Sequence, residues 1–187
     1  MTQLLALYKP YQVLCQFSDN GSGKATLADY VDVADVYPAG RLDFKSEGLV
    51  LLTDSGRLQH HISAPHHKLE KRYLVQIEGQ LRQSDLDELI RGVAIREHGR
   101  SHIARVHAVS LITEPRLPPR DPPVIAHRQH RSSWLELVLR TGINRQIRRS
   151  IATLGFPVLR LVRTAVGPWQ LGELRPGEWR RLTAPRG

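Results

Sequence analysis

Strand-like runs follow one another along this chain with little helical sequence between them, an order that argues against a sheet wound from regular parallel crossovers. Leu4–Leu7 is a short apolar run that stops at Lys9-Pro10. Leu49–Thr53 is a continuous apolar run of strand length, closed by Asp54-Ser55-Gly56. Tyr73, Val75 and Ile77 alternate with Arg72, Gln76 and Glu78, the period of a strand with one buried face. Ala104–Ile112, Trp134–Arg140, Val158–Val162 and the region of Trp179 supply the remaining strands. The helices are short. Thr26 with Asp29 three residues on predicts a capped turn running through Val31. A second short helix is expected after Gly56. Ser84 is the expected cap of a third, with Asp85 and Asp87 in its first turn and Gly92 as its stop. Asn144 is the expected cap of a fourth, reaching Leu154, with Ile147, Ile151 and Leu154 on one face and Gly155 and Pro157 beyond it. The predicted class is α+β rather than a doubly wound parallel sheet. One stretch breaks the pattern: Thr113–Ser132 holds five prolines and is expected to be a long loop.

At 187 residues the chain suits one domain with room for two lobes, and no internal repeat divides it. The formal net charge of +9 points to a polyanionic partner, nucleic acid first. Cys15 is the only cysteine, which excludes an internal disulfide, a Cys-rich zinc site and a paired redox motif. The apolar start is too short for a signal sequence or a membrane span, so no membrane partner is expected and a reducing cytoplasm is the natural setting.

Three constellations can carry chemistry. In the first, Ala39 to Gly48, glycines bracket a loop that feeds the apolar run at Leu49. Asp43 stands in its middle between Leu42 and Phe44, with Arg41 and Lys45 close by; a carboxylate at the mouth of a buried strand is a catalytic candidate, and an ordinary turn aspartate is the alternative. The second runs from Gly142 to Arg149. At about 100° per residue Arg148 borders the apolar stripe, whereas Arg145 and Arg149 lie further round toward solvent. One guanidinium can therefore enter a cleft while two meet phosphates, the alternative being a solvated basic face. The third is Lys71-Arg72-Tyr73, where Tyr73 is either a functional aromatic or a sheet-face residue.

Two further features look like sites and are discounted. His60, His61, His66 and His67 are dense, but Pro65 intervenes and no helical i, i+4 ligand pair exists among them, so no metal is expected. Gly21-Ser22-Gly23-Lys24 resembles part of a phosphate loop without the first glycine at its required spacing.

Tyr8-Lys9-Pro10, then Gly40-Arg41-Leu42-Asp43 with Ser46 and Gly48-Leu49, then Lys71-Arg72-Tyr73-Leu74-Val75, then Asn144-Arg145-Gln146-Ile147-Arg148-Arg149 resemble, in this order, the rRNA pseudouridine synthase family. Gly177-Glu178-Trp179-Arg180 is similar to that family's ending. Phe44-Lys45 depart from the Arg-Asp expected after the aspartate. The segment Pro118–Pro123 and Ser133-Trp134-Leu135 resemble one branch in particular, which lacks the N-terminal S4-type RNA-binding domain of most relatives; that domain is not expected here. The resemblance implies a mixed, mostly antiparallel sheet flanked by helices and crossed by a central catalytic cleft, and isomerisation of uridine to pseudouridine in rRNA, 23S rRNA in particular. It implies a monomer without cofactor or metal. Asp43 would be the essential carboxylate, Tyr73 a platform for the target base that assists proton transfer, and Arg148 the partner that fixes Asp43. Arg41 would help extrude the uridine, and Lys71, Asn144, Arg145, Gln146 and Arg149 would contact RNA. The competing readings are a non-catalytic RNA-binding protein of the same fold and a metal-dependent hydrolase using the histidines.

Overall fold

The structure is a computed structural model in which residues 2–64, 67, 69–97 and 99–184 are described. Its strands are β1 (Leu4–Lys9), β2 (Tyr37–Pro38), β3 (Glu47–Thr53), β4 (Lys71–Glu78), β5 (Val93–Glu97), β6 (Arg100–Ala104), β7 (Ala108–Ile112), β8 (Ser132–Leu139), β9 (Val158–Val166), β10 (Trp169–Gln170) and β11 (Trp179–Arg181). The α-helices are α1 (Gly56–Ser63), α2 (Gln83–Arg91), α3 (Ala126–Gln129) and α4 (Gln146–Thr153). The predicted α+β class is the one adopted. Two compact units emerge, one formed by Met1–Leu69 with Arg163–Gly187 and the other by Glu70–Val162.

In the first unit β1 lies antiparallel between β3 and β11, in register from Leu4 opposite Thr53 to Lys9 opposite Gly48, and from Leu5 opposite Arg181 to Leu7 opposite Trp179. Every residue of β1 and β3 is buried, which is why both read as continuous apolar runs rather than as alternation. β1 ends at Lys9, where the run was expected to stop, and Lys9 is buried as deeply as the leucines before it. β2 was not foreseen; it pairs with Thr53 and Leu52, and Ala39 N donates to Leu51 O at 2.8 Å just beyond it. Thr26 and Asp29 form the predicted reciprocal cap, with Thr26 N donating to Asp29 Oδ2 at 2.7 Å, but only one 3-10 turn follows, Leu27–Asp29.

In the second unit β4 pairs with β8 along its whole length, and β8 with β7, both antiparallel. Tyr73, Val75 and Ile77 are buried as their alternation predicts. The expected single strand Ala104–Ile112 is two strands. β6 turns back on β5 to make a separate hairpin, and the chain leaves it at Arg105, where Val106 N donates to Leu89 O and His107 N to Val138 O. The cap of α2 is Arg82, two residues before the predicted Ser84, because Asp85 accepts from Arg82 N at 2.7 Å and closes an earlier first turn. The Pro-rich segment is a loop except for the single turn α3. Arg120 of the segment and Arg160 of β9 fasten it within the unit: Arg120 Nη1 donates to Leu159 O at 2.9 Å and Arg160 Nη2 to Pro118 O at 3.2 Å.

Gly92 ends α2 with φ 120°, and a Cβ there would stand 2.6 Å from Ile103 Cγ2 in the hairpin. Gly155 has φ 90° and open space around it. Gly155→Ala should therefore cost only the left-handed strain, about 1–2 kcal/mol. Gly92→Ala adds a clash and should cost roughly 2–4 kcal/mol. Urea unfolding of the two variants beside wild type measures both; equal losses would show that the Ile103 contact imposes nothing.

Candidate active site

The loop that carries Asp43 is fixed at closely spaced points along its backbone. It starts from the β2–β3 pairing, and Gly40 takes φ 86°, a conformation that side chains resist. Phe44 O accepts from Gln12 N at 2.9 Å, and Asp43 O accepts from Ser46 N at 3.0 Å. The half-buried Asp43 is thus held in a closed turn, while Arg41 beside it is exposed, with Nη2 3.5 Å from Gln16 Oε1.

Two buried cations complete the loop's support. Arg163, 2% exposed, donates from Nε to Leu49 O at 2.8 Å and from Nη2 to Gly40 O at 3.2 Å, so one guanidinium ties the two ends of the loop. Lys9, fully buried, donates from Nζ to Pro10 O and Val13 O, both at 2.8 Å, and thereby shapes the 10–13 turn from which Gln12 reaches Phe44. Burial pulls the Lys9 ammonium down from 10.5 to about 8; Cys15, Glu47 and Asp43 act in the opposite sense and Arg163 adds to the lowering. Glu47 is itself 1% exposed. From the sequence Lys9 reads as a strand end and as part of the Tyr8-Lys9-Pro10 motif, and neither it nor Arg163 or Glu47 is given a role at the site. The signal was present for one of them: an arginine inside the apolar run Val158–Val166 must find acceptors if that run is a buried strand.

The other candidates belong to the second unit. Lys71 and Tyr73 open β4, with Tyr73 opposite Leu137 and 7% exposed. Arg72 faces outward and pairs with Glu136 at 3.3 Å. At α4 the structure corrects the predicted cap. The residue before the helix is Arg145, at φ 51°, with no capping side chain, and the helix starts at Gln146. Asn144 stands one position too early, and its Oδ1 instead accepts from Arg149 Nη2 at 3.2 Å. Arg149 also donates to Arg96 O at 2.9 Å, so it joins α4 to the β5–β6 hairpin and is half-buried rather than turned to solvent. Gln146 is 2% exposed; its amide donates to Arg105 O at 2.9 Å and accepts from Thr141 Oγ1 at 2.5 Å. Arg148, half-buried beside the apolar stripe as predicted, donates from Nη1 to Val158 O at 3.3 Å. Arg145 alone of the three arginines is exposed. The predicted C-terminus holds: Gly155 N and Phe156 N bond back to Ala152 O and Ile151 O, as in a Schellman motif.

His60, His61 and His67 pack ring against ring, at 6.0 Å and 4.4 Å between centroids, and His66 lies outside the described residues. The glycine turn at residues 21–24 is closed by Asp19, which accepts from Ser22 N, Ser22 Oγ and Gly23 N. Those hydrogen bonds to Ser22 hold the Asp19 carboxyl below its usual range, and a phosphate would meet that carboxylate. Among the described residues no helix is long and apolar enough to cross a membrane.

A family model for RNA pseudouridylate synthase matches residues 3–153, and the chain belongs to that family: it is an isomerase that makes pseudouridine. Individual relatives narrow the branch. The chain is 47% identical over 178 residues to the ribosomal large subunit pseudouridine synthase E of Xanthomonas campestris pv. campestris, covering 95% of this chain and 94% of that one. It is 43% identical over 180 residues to the protein of that name from Vibrio parahaemolyticus, covering 96% and 74%. The E-type is the branch to which the Pro118–Pro123 segment pointed. A solved structure described as a crystal structure of pseudouridylate synthase matches 98% of this chain and 71% of its own, with 28% identity and a TM-score of 0.77.

Lys9 gives the first unit a pH signature. Between pH 8 and 10.5 the unfolded chain holds a proton that folded Lys9 has released, so stability rises with pH across that window; below pH 8 both states are protonated and the penalty is constant. A lowering from 10.5 to about 8 corresponds to about 3 kcal/mol. The unfolding free energy of wild type relative to Lys9→Met should climb by that order from pH 8 to 10.5. A flat difference would mean that Lys9 titrates as if exposed.

Proposed function

We propose that this protein converts a uridine of ribosomal RNA, in the 23S molecule, to pseudouridine, with Asp43 as the essential carboxylate. The observation that carries the reading is the position of Asp43 on a loop bound at Gly40 and Leu49 to the buried Arg163 and at Phe44 to the backbone of Gln12, all within its own unit. The names of the relatives, of which the chain covers 94% and 74%, support the substrate class.

The reaction breaks the N1–C1′ bond, turns the base, and forms a C5–C1′ bond; C5 gives up its proton and N1 gains one, so the overall change is an isomerisation. Asp43 serves either as the nucleophile at C1′ or as the base at C2′. The uridine must leave its stack to reach it. Arg41, exposed beside Asp43, occupies the space left by the flipped base. Tyr73 supplies the stacking platform and takes part in proton transfer, Arg148 supports Asp43, and Lys71 and Arg145 contact the RNA backbone. Asn144, Gln146 and Arg149 act on RNA through the loop and hairpin they hold together. The enzyme works in the cytoplasm as a monomer, with no cofactor or metal.

Deleting the gene should remove one pseudouridine from 23S rRNA, and re-expression should restore it; an unchanged rRNA map would exclude that substrate. Purified Asp43→Asn should lose turnover by roughly 10²–10⁴-fold or more while still binding the RNA, as single-turnover assays and equilibrium binding will report. Near-wild-type turnover would remove Asp43 from the mechanism. Arg148→Met should lose turnover far more than affinity, and Arg148→Lys should keep more of both, since it retains the charge without the planar fork. A variant that binds weakly yet reacts at the wild-type rate when saturated would make Arg148 a phosphate contact.

A further inference from the structure

The first unit holds a pocket of about 580 Å³ that the reaction at Asp43 does not use, within the range of small-ligand clefts. Its walls include the half-buried aromatics Phe17 and Tyr37, with Val36 beneath them. Arg41 lies on its rim, oriented by Gln16 Oε1 at 3.5 Å, and the exposed Asp35 lies on the rim as well. The pocket is continuous with the Asp43 loop, because Tyr37 opens the β-pairing from which that loop departs and Arg41 belongs to both. Arg41 and Asp43 are two residues apart, so their Cα atoms are separated by at most about 7 Å.

We propose that this pocket binds the nucleobase adjacent to the target uridine and selects one that carries an amino group. The proposal rests on the reading that Asp43 acts on an RNA uridine. Single-stranded RNA is read by stacking unpaired bases on aromatic side chains and by hydrogen bonds to their edges, and Phe17 and Tyr37 supply the stacking surface. Arg41 lies on the rim, so the side chain that fills the space left by the flipped uridine also borders the neighbouring base. Asp35 decides the base. A carboxylate at the mouth of an RNA-facing pocket repels phosphate, but it accepts a hydrogen bond from the exocyclic amine of adenine, cytosine or guanine. Uracil offers no such amine. The chain also gives Asp35 a fixed place, since its φ of 62° is one that few residues other than glycine adopt and aspartate tolerates.

The test uses RNA stem-loops with one loop uridine and randomised neighbours, treated with purified enzyme and sequenced for pseudouridine, beside 23S rRNA from cells lacking the protein. Wild type should favour amino-bearing neighbours over uracil on one side of the target. Phe17→Leu keeps bulk but not the ring face, and should lower kcat/KM on the favoured neighbour by about tenfold. Asp35→Asn, an exposed substitution, should remain active and lose the bias against uracil, a change of preference that misfolding cannot produce. Equal use of all four neighbours by wild type, or an unchanged profile in Asp35→Asn, would overturn the subsite and leave the functional reading standing. Absence of pseudouridine from both the pool and the 23S rRNA would overturn the two together.

Discussion

Two cations with almost no access to water lie within the unit that carries Asp43, and a buried charge survives only where its donors are satisfied. Lys9 and Arg163 meet that demand largely with backbone carbonyls, at Pro10, Val13, Gly40 and Leu49. The demand is mutual. A loop carbonyl turned inward needs a donor, and a guanidinium turned inward needs carbonyls, so neither the loop nor the side chain can relax alone. The glycines at 40 and 48 allow the chain to enter and leave the turn, at φ 86° and 100°. Glycines alone would leave it free; the cations choose one of the conformations that the glycines permit.

This arrangement suits chemistry on a flipped base. A carboxylate that must meet one sugar carbon needs a rigid support more than it needs many neighbours, since a small displacement is costly in rate. The loop stands at the mouth of β3, whose residues are all buried between β1 and the rest of its unit. In the second unit Tyr73 starts from an equally regular support, a strand in full register with β8. The arginines of the Asn144–Arg149 segment are divided differently from what helical angles alone imply. Arg149 is engaged with Asn144 and with Arg96 of β5, and Arg145 keeps the outward position.

The fold class and the order of most elements were legible because burial on both faces leaves continuous apolar runs, as at Leu4–Leu7 and Leu49–Leu52, and burial on one face leaves alternation, as at Tyr73–Ile77. What was illegible depended on partners distant in sequence. β2 is a strand only because β3 offers it an edge, and nothing in Tyr37-Pro38 itself announces one. The break between Ala104 and Ala108 follows from hydrogen bonds to Leu89 and Val138, which no local pattern contains. The cap at Asn144 failed for a related reason: its carboxamide had a stronger suitor in Arg149 than in the helix amides. At the candidate site Asp43 was visible from its motif, whereas Lys9 looked like a stop signal and Arg163 lay just beyond the strand expected at Val158–Val162. Both residues acquire a role only once the carbonyls they bind are in place.

Amide hydrogen exchange in wild type and in Arg163→Met tests the central claim, that buried cations rather than glycine turns hold the Asp43 loop. The informative amides are Gln12 and Ser46, which bond to Phe44 O and Asp43 O. In the variant both should lose protection while the β4 and β8 amides of the second unit keep theirs. Unchanged protection at Gln12 and Ser46 in a folded Arg163→Met protein would contradict the account.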